Sequence, residues 1–260
     1  MKLMYRQETT PGMNSRQQRK AQGLTLIELV VVLAVLVALV GLVLAFFPDI
    51  LRRASSSTST SGAQDIARTL QVKFTSSLTY GDGYDNFAPS PGTLNTALSS
   101  TNGLTAGTVG GASDLAALNA AGITTVYNFT GTNTFQLTRA AASLGASTPV
   151  ALVDTNSATG LNLVIGMLGA RTNALGTQTF YVFGLGKVCT AVGPGSTMQE
   201  APVRTGENAF ENPANKYGHY GVVFVTEPAG SGRKAYLLGS VALAYDGLRS
   251  ASDSLQQYYQ

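Results

Sequence analysis

From Leu24 to Phe47 the chain reads LTLIELVVVLAVLVALVGLVLAFF, an apolar run interrupted by a single ionisable residue, Glu28. As an α-helix these 24 residues extend roughly 36 Å at about 1.5 Å per residue, enough to cross the hydrocarbon core of a bilayer. A secretory signal sequence carries an apolar stretch of only about 7–15 residues, so an ordinary cleaved signal peptide fits poorly, although Val43-Leu44-Ala45 loosely resembles a signal-peptidase site. Arg16, Arg19 and Lys20 precede the run and Arg52-Arg53 follow it. The excess of cations on the near side favours a cytoplasmic amino terminus, with the rest of the chain outside.

Glu28 asks for an explanation, because a carboxylate in an apolar span costs several kcal/mol unless it is paired or close to the interface. One reading leaves it hydrated at the headgroup level, favoured there by the helix amino terminus. The other uses its neighbours. Gly23-Leu24-Thr25-Leu26-Ile27-Glu28-Leu29 closely resembles the processing site of type IV pilins and type II secretion pseudopilins. That resemblance implies cleavage after Gly23 by a membrane prepilin peptidase, N-methylation of Leu24 by the same kind of enzyme, and retention of the apolar segment. Glycine suits the residue before the cut, since it lets a peptidase approach the backbone closely. The new amine on Leu24 needs a carboxylate partner in an apolar setting, and Glu28, four residues on, can supply it within one helix or across to a neighbouring subunit. The family favours the intersubunit pair. Leu24 stands where Phe is commoner, the leader is rather long, and Pro48 comes late, which leaves Gly41 as the weak point of the span.

The basic balance of the whole chain is misleading. Residues 1–23 carry five cations against Glu8, a net +4, and the whole chain carries +3, so the remainder is −1. With Arg204, Lys216, Arg233 and Lys234 scattered along it, that remainder offers no clustered basic surface for phosphates, and no nucleic-acid partner is expected. The single cysteine, Cys189, cannot form an intramolecular disulfide, so core and backbone pairing must hold the fold.

Beyond Pro48 the run Ser55–Ser61 could be a linker or could continue the helix, and the resemblance favours continuation. Ile66, Leu70, Phe74 and Leu78 then recur every four residues beside Ala63 and Ala67, one helical stripe, until Gly81-Asp82-Gly83 ends it. Residues 81–123 read as loop or insertion around a helical turn at Asp114–Ala121. A hairpin is expected from Thr124–Thr130 and Thr134–Arg139, with further strands at Leu161–Leu168, Thr177–Leu185, Tyr220–Thr226 and Lys234–Leu243. Leu248, Ala251, Leu255 and Tyr258 have the spacing of a short amphipathic helix. The expected fold is α+β: a long amino-terminal helix, membrane-spanning in its first half, packed on a head with an antiparallel sheet and a short carboxy-terminal helix. The expected divisions are a cytoplasmic leader at 1–23, a membrane and filament-core helix at 24–47, its continuation at 48–80 and an extracytoplasmic head at 81–260.

The head offers little chemistry. Its one histidine, His219, sits beside Tyr217 and Tyr220 without a nucleophile elbow and reads as a surface or packing residue. Gly184-Leu185-Gly186-Lys187 precedes Val188 and Cys189, lacks the spacing of a phosphate loop, and has valine where a magnesium-binding hydroxyl belongs. One Cys and one His cannot close a zinc site. Asp82, Asp85 and Asn86, and separately Glu207, Asn208, Glu211 and Asn212, form oxygen-rich loops without a calcium-loop spacing and read as solvated carboxylates. No catalytic residue, cofactor or metal is therefore expected. The resemblance implies a structural subunit polymerised into a type IV pilus or type II secretion pseudopilus. Its implied partners are like subunits, the prepilin peptidase and methyltransferase, an inner-membrane assembly platform, and lipid before assembly. Its implied location is the inner membrane in a single pass, then a periplasmic or surface filament. The alternative is a monomeric anchored binding or enzymatic domain.

Overall fold

A computed structural model describes residues 25–98, 100–131, 134–168, 177–204, 216–228, 231–244 and 247–249. The chain divides into two compact units, Met1–Phe47 and Pro48–Gln260. Helix α1 is assigned from Leu26 to Ser77. In the first unit its stretch Leu26–Leu44 is long and apolar enough to cross a membrane, and none of it is buried.

In the second unit the helix continues through the Ser/Thr-rich stretch, as the resemblance implied. Hydroxyls that could compete with the helical backbone instead bond back to it: Thr58 to the Ala54 carbonyl (3.0 Å), Thr69 to Asp65 (2.6 Å) and Thr75 to Gln71 (2.9 Å). Ala63, Ile66 and Leu70 face the core and are buried. Full burial of residues such as Ile66 and Leu70 stabilises by about 1.5–3 kcal/mol each. Phe74 stacks on Tyr80 at 4.4 Å. The expected stripe stops there, because Leu78 adopts a left-handed backbone (φ 58°) just past the helix end and is exposed.

The following elements are β1 (Tyr84–Asn86), β2 (Leu104–Thr108), α2 (Gly111–Ala120), β3 (Thr125–Thr130), a 3-10 turn (Thr134–Gln136), β4 (Thr138–Ser143), β5 (Pro149–Val153), α3 (Ala158–Leu168), β6 (Thr179–Gly184), β7 (Gly221–Thr226), β8 (Tyr236–Ala244) and β9 (Gly247–Arg249). The fold is α+β. Strand order is β4-β3-β1-β6-β7-β8-β9, with β5 on the same side of β6 as β1, and β2 outside β5. Most pairs are antiparallel, but β1 and β3 run parallel, so the sheet is mixed rather than antiparallel. A parallel pair needs a long return, and residues 87–124, carrying β2 and α2, supply it.

Apolar residues alternate between the two faces. Tyr181, Phe183, Val222 and Phe224 join α1 and α2 residues in one core. Phe180, Val182, Val223 and Val225 join Leu163 and Val164 of α3 in the other. Strand β7 is buried at all six positions, which explains its continuous apolar sequence.

Several expectations are corrected. Leu161–Leu168 belongs to helix α3, not a strand. Its hydrophobic residues are ambiguous by spacing alone, but Ser157 caps the helix by accepting a bond from the Gly160 amide (3.1 Å). Residues 81–123 are not merely loop, since β1 lies inside the sheet and β2 flanks it. The second hairpin arm is Thr138–Ser143, because Thr134 turns inward, donating to the Lys216 carbonyl (2.5 Å) and accepting from the Gly218 amide (2.6 Å). The helical turn expected at Asp114–Ala121 is present as α2. Where a terminal helix was expected to begin, Gly247–Arg249 forms β9 against β8; positions 251, 255 and 258 lie outside the described residues.

Candidate functional site

The amino end of α1 is closed by a reciprocal pair. The Thr25 amide and hydroxyl both donate to Glu28 Oε2 at 2.8 Å, and the Glu28 amide donates to Thr25 Oγ1 at 3.3 Å. This is a capping box: each side chain satisfies a backbone donor that the first helical turn leaves unpaired. Both residues are exposed, and the helix they open is lined with exposed Leu, Val, Ile and Phe side chains. Gly23 and Leu24 lie outside the described residues. Sequence reasoning singled out Glu28 but missed Thr25 as its partner; the T-x-x-E pattern at 25–28 was the available signal.

In the head, the residues proposed as an oxygen-rich loop are dispersed into structural roles. Asp82 accepts from the Thr124 hydroxyl (2.6 Å) and from the Thr124 and Thr125 amides. Partial burial pushes its pKa up, but these bonds and one from Gly83 outweigh it and hold the carboxyl below its ordinary value. Asp85 is not solvated: it is fully buried and takes the Arg139 guanidinium on both oxygens, Nε at 2.6 Å and Nη2 at 2.9 Å. Tyr217 donates to the same carboxylate at 3.0 Å. Burial lowers the pKa of Arg139, yet the bond and charge of Asp85 more than restore it. Burial, then the Asp85 charge, push the Tyr217 phenol well above its usual range. The Asn86 amide donates to Asn128 Oδ1, Ala88 O and Pro149 O. Glu207, Asn208, Glu211 and Asn212 lie outside the described residues. Among the described residues no group of three or more His, Cys, Asp and Glu could hold a metal ion.

His219 is a packed residue rather than a surface one, only 1 % exposed, with its ring edge-on to Tyr217. Its Nδ1 lies 3.1 Å from the Pro202 carbonyl, which can only accept, so Nδ1 carries the proton. Burial lowers the ring's pKa from the ordinary 6.5 and keeps it neutral. The unfolded chain therefore takes up a proton below about pH 6.5 that the folded head resists. Thermal midpoints of the full chain should fall as pH drops through 6.5 toward 5, and His219→Phe should flatten that part of the profile. Cys189 is buried, and burial raises its thiol to about 12, which leaves it unreactive. Of the cations singled out in the sequence, Arg204 is buried, Arg233 pairs with Glu227 at 3.0 Å, and Lys216 bonds the Thr96 carbonyl.

Residues 18–44 match the family model described as the prokaryotic N-terminal methylation motif, the signature of type IV pilins and pseudopilins. No curated protein and no solved structure matches the chain. The motif points to a pilin-like substrate of the prepilin peptidase, a structural subunit rather than an enzyme, and the apolar helix that bears it fits a membrane-anchored pilin.

Proposed function

We propose that this chain, bearing the pilin and pseudopilin signature, is a filament subunit stored in the inner membrane and polymerised into a type IV pilus or a type II secretion pseudopilus. The observation that carries the reading is the methylation motif at 18–44 laid over an exposed apolar helix whose first turn holds Glu28. The leader, residues 1–23, is removed on the cytoplasmic side after Gly23, and the amine of Leu24 is methylated. In the membrane the apolar side chains from Leu26 onward are solvated by lipid. Drawn out of lipid by the assembly platform, they bury their surface only against the same helix of neighbouring subunits. Glu28 then meets the Leu24 amine of a neighbour, so that two charges costly alone become a pair.

The test is amino-terminal peptide mass spectrometry on protein recovered from the native membrane and from sheared surface material. A chain beginning at methylated Leu24 in the membrane fraction is the expected result. Its recovery from the sheared fraction favours a surface pilus, and its retention in the envelope favours a pseudopilus. A start at Met1 would replace this reading with an anchored domain, and a start after Ala45 with a secreted one.

A further inference from the structure

We draw no further inference here: the strongest candidate, the exposed outer edge of strand β4 (Thr138–Ser143), which ends the described sheet with its one cation, Arg139, turned inward onto Asp85, carries nothing because nothing in the structure shows what covers it.

Discussion

Glu28→Gln is expected to leave cleavage intact yet drive filament incorporation to background, and this pairing of outcomes separates two roles of one side chain. Glutamine preserves the capping box, because its amide oxygen can still accept from the Thr25 amide and hydroxyl. It removes the charge that a methylated amine from a neighbouring Leu24 would require. If Glu28 acted only as a helix cap, worth about 1 kcal/mol, Glu28→Gln would assemble normally and Glu28→Ala would be mildly impaired. If the charge pair governs docking, both variants fail equally, and Thr25→Ala, which loses the cap but keeps the carboxylate, still assembles. Gly23→Leu is the complementary control: it should retain the leader and never reach the sheared fraction. Counting filaments by immuno-electron microscopy and reading the amino terminus by mass spectrometry distinguishes all four variants.

Asp85→Ala is expected to destabilise the head by about 3–5 kcal/mol, because removing one partner of a buried pair strands the other. Arg139 would keep its charge in a half-buried site, and the Tyr217 hydroxyl would lose its acceptor, its ring being held edge-on to Phe87 (centroids 5.1 Å apart) and stacked on Phe129 (5.0 Å). Thermal unfolding of the full chain measures the loss. Adding Arg139→Leu to Asp85→Ala should restore part of it, since the stranded charge is then gone, and the two substitutions will not add. A loss below about 1 kcal/mol would mean that water reaches the pair despite its burial.

The parts of the fold legible in the sequence were those where one pattern dominates. The helical stripe through Ala63, Ile66 and Leu70 and the buried strands β6, β7 and β8 are such cases. The elements without a local pattern depend on partners distant in sequence. Tyr84-Asp85-Asn86 is short, mostly polar and preceded by the turn residues Gly81-Asp82-Gly83, so nothing local marks it as a strand inside the sheet; its pairing with Val126–Asn128 and the guanidinium of Arg139 make it one. Helix α3 is different: Ser157 supplies its cap, but the apolar alternation of Leu161 and Leu163 fits a strand as well as a helix. At the amino end, Glu28 stood out because a lone carboxylate in an apolar run is conspicuous. Thr25 did not, since a threonine before a helix is ordinary. His219 reads from its neighbours as a surface or packing residue, but its enclosure comes only from the return of the chain past Pro202.

The enclosed thiol of Cys189 has a practical corollary. A maleimide reacts with thiolate at an accessible sulfur, and the chain's one native sulfhydryl is neither ionised nor reachable at neutral pH. A cysteine introduced at an exposed site such as Ser143, on the outer strand β4, would therefore carry a fluorophore as the only modified position, with no need to remove the native residue first. In the filament proposed above, growth and shortening of individual fibres would then be followed by light microscopy in living cells, with dye brightness proportional to the number of subunits in each.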